Sequence, residues 1–232
     1  VSYFSYWRGG ISIKEVFSDI IVEAPLGSRT KLTLPDGTLV WLNAGSRITY
    51  SQGFGVGNRK IELIGEGYFE VKRNEEVPFL VKTNSLLVKV LGTKFNFRDY
   101  PDDAEAIVSL SEGKVALNNL LKKEKEAFLL PNERVVLNKK NGRMHVEYST
   151  VSNALQWTNG YLFFDEELLP DVVKELERSY NVKIQIASDT LNTFRFYGNF
   201  VHREQNIQEV LEALSATRKI HYIIEGHNIT LY

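Results

Sequence analysis

The apolar residues of this chain keep one rhythm as far as Tyr148 and another after Ser149, so two differently built regions are required. From Asp19 to about Tyr148 the period is two. Leu32 and Leu34, Ile61 and Leu63, Phe69 and Val71, Val88 and Val90, Phe95 and Phe97, and Val135 and Leu137 alternate with polar neighbours, the pattern of strands that bury one face. Roughly a dozen such segments occur at the turn spacing of sandwiches and barrels. Beyond Ser149, Leu169, Val172, Val173, Leu176 and Tyr180 fall at helical spacing, with Pro170 suited to a first turn and the strand Val182–Ile186 behind. A shift of about 38 residues lays Leu169 on Ile207, Val172 on Val210, Val173 on Leu211, Leu176 on Leu214 and Val182 on Ile220, which is an internal repeat. Each unit opens on an apolar strand, Tyr161–Phe164 or Phe194–Tyr197, and a last strand is predicted at Ile229–Tyr232.

The expected architecture is therefore an all-β N-terminal domain, antiparallel and either sandwich or solenoid-like, over residues 19–150. A small α+β domain of two βαβ-type units follows over residues 158–232, its helices covering one sheet face. Turn chemistry agrees with this division. In Leu34-Pro35-Asp36-Gly37-Thr38, Pro35 pre-sets φ, Asp36 can bond its own backbone and Gly37 accepts a positive φ, so Lys31–Leu34 and Leu39–Leu42 read as a hairpin. Asn141-Gly142 is a second hairpin signal, and the sign-alternating run Lys122–Glu126 reads as the solvated tip of a third. Asn206 with Glu209 resembles a helix capping box.

Composition excludes several functions. With 43% hydrophobic and 12% aromatic residues the chain buries an ordinary core, and a net charge of −1 with both signs interspersed leaves no footprint for nucleic acid. There is no cysteine, hence no disulfide or thiol chemistry. No apolar run approaches the ~20 residues that span a bilayer.

Few residues are arranged for catalysis. His145, His202, His221 and His227 form no metal-ligand spacing, and no metal or cofactor is expected. Glu66 and Glu70 share a strand face but lie ~13 Å apart along it, too far for paired acid and base. Gly53, Gly55 and Gly57 lead into a strand and lack the helix terminus of a phosphate site. Phe194, Arg195, Phe196 and Tyr197 set an arginine among aromatics, the composition of interface anchors, and are the candidate partner-binding residues; division of the aromatics between core and solvent is the other reading.

Six stretches carry a resemblance: Leu34–Thr38, Trp41–Ala44, Gly65–Val71, Pro78-Phe79, Leu91–Phe97 and Glu112–Val115. In order and approximate spacing they resemble the FecR family of transmembrane anti-sigma regulators, from about Glu23 to the C-terminus. The second half is similar in pattern to the short signalling modules at the N-terminus of TonB-dependent transporters and in secretins. The resemblance implies a relay and not an enzyme: the periplasmic region of a single-pass inner-membrane anti-sigma factor. Its partners would be the signalling domain of an outer-membrane TonB-dependent transporter and, through a cytoplasmic part beyond this sequence, an extracytoplasmic-function sigma factor. It also implies a membrane span upstream of the aromatic stretch Val1–Trp7, so residues 1–18 are expected to be juxtamembrane. Some relatives are thought to cut themselves at a Gly-Thr pair, here Gly92 and Thr93, by attack of the hydroxyl on the preceding carbonyl; a bulge at Gly92 with Thr93 opening the next strand is the structural alternative. A rival function is a glycan-binding β module with Trp41, Tyr50 and Trp157 as stacking platforms, although Trp41 sits in a run apolar on both faces, which predicts burial.

Overall fold

The computed structural model describes residues 18–148, 151–202, 204–216 and 219–232; the aromatic stretch Val1–Trp7 lies outside them. Thirteen strands join in a single sheet: β1 (Asp19–Ala24), β2 (Thr30–Thr33), β3 (Leu39–Leu42), β4 (Ser46–Ser51), β5 (Arg59–Glu70), β6 (Phe79–Lys82), β7 (Leu86–Val90), β8 (Lys94–Asp99), β9 (Glu105–Glu112), β10 (Val115–Asn119), β11 (Ala127–Leu129), β12 (Glu133–Asn138) and β13 (Met144–Tyr148).

The twelve-residue β5 organises this sheet because it changes both neighbours part-way along. Its first half lies between β4, antiparallel, and β6, parallel; its second half lies between β3 and β8, both antiparallel. From these two places the sheet continues through β7, β10 and β11 in one direction and through β9, β12 and β13 in the other. Gly65 stands at the change, with φ +97°. The result is a near-barrel sheet curled round one apolar cluster that takes Ile61, Leu63 and Phe69 from β5, Phe79 from β6, Phe95 and Phe97 from β8 and Leu117 from β10. The β5–β6 pair departs from the expected all-antiparallel arrangement: strands consecutive in the chain run the same way because the connection over residues 71–78 returns along the sheet instead of turning back as a hairpin.

The Pro-Asp-Gly turn forms as its residues require. Thr38 N–H donates to Asp36 Oδ1 at 2.8 Å, and Gly37 has φ +86°. The turn is also an anchor. Arg59, 2% exposed, donates from Nη1 to Asp36 Oδ2 at 3.1 Å and to the Lys72 carbonyl at 2.8 Å, and from Nε to the Val77 carbonyl at 2.8 Å. One guanidinium thus ties the hairpin tip to the connection between β5 and β6.

The C-terminal unit begins with a short helix α1 (Val151–Ala154) and a 3₁₀ turn Gln156–Asn159, followed by β14 (Tyr161–Leu168), α2 (Leu169–Tyr180), β15 (Lys183–Ile186), β16 (Arg195–Val201), α3 (Ile207–Ser215), β17 (Tyr222–Glu225) and β18 (Asn228–Leu231). The repeat is visible as β14-α2-β15 and β16-α3-β17. Its strands do not share one sheet, however: β14 pairs with β16, whereas β15 and β17 flank β18, so the expectation of helices over a single sheet is corrected to two small sheets. The physical reason is that like strands of the two repeats meet each other, β14 beside β16, and the final strand separates the second pair. Both helices and both sheets contribute to one core, with Leu169, Val172, Val173 and Leu176 of α2 and Val210, Leu211 and Leu214 of α3. The capping box is present in full, Asn206 accepting from Glu209 N–H at 3.1 Å and Glu209 from Asn206 N–H at 2.8 Å.

Candidate functional site

Where α2 and the Trp157 turn meet the β body, the contact is polar. In the second half of β5 every residue from Gly65 to Phe69 is buried, so Glu66 is carried inside, between two glycines. Its carboxylate accepts from Asn43 Nδ2 at 2.9 Å and from Asn96 Nδ2 at 2.8 Å. Neither amide is free to turn. Asn43 Oδ1 accepts from Arg29 Nε at 3.0 Å, and Asn96 Oδ1 from Trp157 Nε1 at 3.1 Å.

Two residues beyond Asn96 on β8, and therefore on the same face, Arg98 lies 3.8 Å from Glu66, 2.8 Å from Asp103 and 3.1 Å from Glu175 of α2. Arg178 is three residues after Glu175 on the helix, so it shares that face; it reaches Asp103 at 3.1 Å and Glu175 at 3.3 Å, with its guanidinium 3.9 Å from the Tyr100 ring centroid. The Tyr100 hydroxyl donates to the Ala44 carbonyl at 2.9 Å, and Gly27 N–H to the Arg178 carbonyl at 2.8 Å. The joint is thus a charge network of Glu66, Arg98 and Asp103 from the β body with Glu175 and Arg178 from α2, and the exposed Asp102 lies 3.6 Å from Arg178 at its rim.

Burial pushes the Glu66 carboxyl above its ordinary range, against the pull of Arg98 and the two amides. Burial also acts to raise Asp103 and Glu175, but Arg98 and Arg178 outweigh it and hold both below the ordinary range. The signs oppose. The stability owed to Asp103 and Glu175 is present above their unfolded values and lost as pH falls through their folded ones; that owed to Glu66 runs the other way, present at low pH and lost as pH rises. Because protonating Asp103 and Glu175 takes away both carboxylates that Arg178 meets inside the joint, the urea midpoint is expected to fall as pH drops below about 4, and in Arg178→Met to start lower at neutral pH and fall less steeply. Parallel curves for the two proteins would remove the assignment. The network is imperfectly satisfied, since the buried Arg178 Nε has no hydrogen-bond partner among the described residues.

The predicted partner residues divide between two environments. Phe196 is 6% exposed and packs between Phe164 and Phe200, so it is a core residue and not a surface anchor; strand alternation turned it inward. Arg195 and the 59%-exposed Tyr197 point to solvent, where Arg195 donates to the Glu166 carbonyl at 2.6 Å and the Tyr197 hydroxyl to the Glu166 carboxylate, over a bulge in β14. Phe194 is half-buried under Lys219, whose Nζ is 5.6 Å from the ring.

Trp41 is half-buried against Tyr68 and not fully buried as expected, because Val40 and Leu42 take the inward positions of β3. Tyr50 packs edge-on against Phe54, away from any platform. Thr93 is 4% exposed and donates its hydroxyl to the Lys114 carbonyl at 3.1 Å, and a side chain on Gly92 would lie 2.7 Å from Arg73 Cα, so packing accounts for both residue types. Glu70 accepts from the Tyr68 hydroxyl at 3.3 Å, a structural role. The His202 Nε2–H donates to the Ser179 carbonyl at 2.6 Å, and no cluster suited to a metal occurs among the described residues.

The joint residues escaped sequence reading because their partners are far apart in the chain. One signal was available: Glu66 set between Gly65 and Gly67, in the half of the strand where alternation of polar and apolar residues breaks down.

The comparisons fit this architecture. Residues 21–116 match the family described as FecR protein, and residues 161–231 the family described as FecR, C-terminal. Two crystal structures of a protein assigned as an anti-sigma factor from Parabacteroides distasonis, at 1.65 and 2.50 Å resolution, are each 33% identical to this chain with a TM-score of 0.84; the matches cover 92% and 93% of this chain and 98% and 99% of theirs. No curated protein matches the chain. The fold and the order of its two parts are those of a regulatory protein, not an enzyme. The chain belongs to the FecR family of anti-sigma factors.

Proposed function

We propose that this chain is the periplasmic sensor region of a single-pass inner-membrane anti-sigma factor. It relays a signal from the N-terminal signalling domain of a TonB-dependent outer-membrane transporter to an extracytoplasmic-function sigma factor. Residues 1–18 form the juxtamembrane segment, residues 19–150 the β domain and residues 158–232 the module that receives the signal. Among the described residues, no helix is long and apolar enough to cross a membrane.

The observation that carries the reading is the two-stranded sheet of β14 and β16. It pairs with no other strand among the described residues, and its outer face presents Tyr161, Arg195 and Tyr197. A small α/β partner adds strands to such an edge through backbone hydrogen bonds, with exposed side chains selecting the partner. Docking there acts on α2, which follows β14 directly and holds Glu175 and Arg178 in the joint. A changed pose of the two domains would then alter access to the juxtamembrane stretch and permit proteolysis upstream.

The test is calorimetric titration with the N-terminal signalling domain of a TonB-dependent transporter from the same cell. Arg195→Glu with Tyr197→Ala, both exposed, is expected to weaken binding at least about tenfold with the melting temperature unchanged. Unaltered affinity in the double variant would remove the proposed surface.

A further inference from the structure

Two hairpin tips of the β body meet. The turn after β10 places Leu120 and Leu121 in solvent, 43% and 45% exposed, and every residue from Leu120 to Glu126 is exposed. Asn119 fixes this backbone: its Oδ1 accepts from the N–H groups of Leu121 at 3.0 Å and Lys122 at 3.1 Å, and its Nδ2 donates at 2.9 Å to the Gly142 carbonyl in the turn between β12 and β13. The tips touch there, since a Cβ on Gly142 would lie 3.4 Å from Lys122 Cβ. A solvated turn calls for charges and turn formers, so an adjacent pair of leucines held outward on a clamped backbone is not explained by the fold.

The charge around the leucines is one-sided. Lys122, Lys123 and Lys125 of the first tip and Lys140 and Arg143 of the second are all exposed, against Glu124 and Glu126. Lys122 meets Glu124 at 3.0 Å, whereas Lys123, Lys125, Lys140 and Arg143 form no ion pair among the described residues. The two tips thus gather an excess of positive charge on a chain whose net charge is −1. Behind them the edge strand β11 repeats the combination with Phe128, 50% exposed, beneath the Lys114 ammonium at 4.6 Å.

We infer that these tips rest on an anionic lipid surface, the leucines entering the headgroup region and the cations meeting lipid phosphates. Apolar residues at an apex flanked by lysine and arginine are the composition of interfacial binding. Protruding turns suit a surface that yields to them; a folded protein would have to supply a matching pocket. The inference rests on the proposed reading of the chain as part of a membrane-anchored protein, because anchoring keeps a bilayer within reach and lets a weak contact be occupied. Contact at the tips fixes how the β body stands on the membrane, and hence where the C-terminal unit is presented. The patch includes neither Arg195 nor Tyr197, so the vesicle test below and calorimetry with the signalling domain can each fail alone.

The experiment is co-sedimentation of the full chain with vesicles of phosphatidylcholine alone and of phosphatidylcholine containing about one-third phosphatidylglycerol, at about 50 mM salt. The anionic vesicles are expected to take up at least about fivefold more protein than the neutral ones, and about 300 mM salt to reduce that uptake at least about threefold. Leu120→Ser with Leu121→Ser and, separately, Lys123→Glu with Lys125→Glu are each expected to bind at least about fivefold less while melting like the wild type, because all four positions are exposed. The proposal is overturned if no protein sediments with anionic vesicles by about 5 mM lipid, if both kinds of vesicle bind alike, or if either double variant binds as the wild type does. Capture of the chain by polyglutamate with none on the vesicles would assign the patch to an acidic protein and overturn it equally.

Discussion

Replacing Gly65 by Ala is expected to lower stability by about 3 kcal/mol or more, a loss that combines backbone strain with overpacking. Gly65 has φ +97°, and a Cβ there would lie 2.4 Å from Ser46 Oγ, 2.8 Å from Ser46 Cβ and 2.9 Å from Ser46 Cα. Removing the Ser46 hydroxyl would not relieve it, because backbone is among the colliding atoms. Gly37→Ala is the matched control: φ is +86° but nothing lies within 4 Å of the added methyl, so only the backbone term, about 1–2 kcal/mol, is expected. Urea unfolding of both variants separates the two contributions. Equal losses would mean that the close approach of β4 to β5 is unimportant.

Arg59→Met is expected to cost about 3–5 kcal/mol, the usual penalty for stripping one partner from a buried ion pair. Methionine keeps a stem beside Phe79, over which the guanidinium now lies at 5.7 Å, so the lost packing is small. What remains is the Asp36 carboxylate, its side chain 10% exposed, without its cation, and carbonyls of Lys72, Asn74 and Val77 without their donor. Arg59→Lys keeps the charge but has no planar fork to serve several carbonyls, and it should recover only part of the loss. Chemical unfolding of both variants checks the order. A Met variant within 1 kcal/mol of wild type would contradict the role given to this residue.

Local chemistry was legible in the sequence and distant chemistry was not. The Pro-Asp-Gly turn, the capping box at Asn206, the repeat and the alternation of most strands follow from neighbours within a few residues, and all formed as expected. Trp41 was misjudged because a run of four apolar residues does not reveal which pair faces inward; the answer lay in the register of β3 against β5. Phe196 failed for a related reason, since alternation alone leaves open which member of Phe196 and Tyr197 turns inward until β14 is placed beside them. Arg59 and Asp36 are 23 residues apart, and Arg98 and Glu175 are 77, so no local pattern announces either pair. The family resemblance pointed to the right stretches, Leu34–Thr38 and Gly65–Val71, without disclosing why Asp36 and Glu66 matter there.

The joint between the β body and α2 has a mechanical consequence. Greasy surfaces slide, since dispersion forces barely care about direction and each small slip finds nearly equivalent neighbours. A lock of fixed forks and oriented amides tolerates no such creep: a small tilt of α2 would break Arg98 from Glu175 and Arg178 from Asp103 together, and water would enter at once. Movement at this boundary should therefore come as a snap between two settings, which suits a device that must report yes or no.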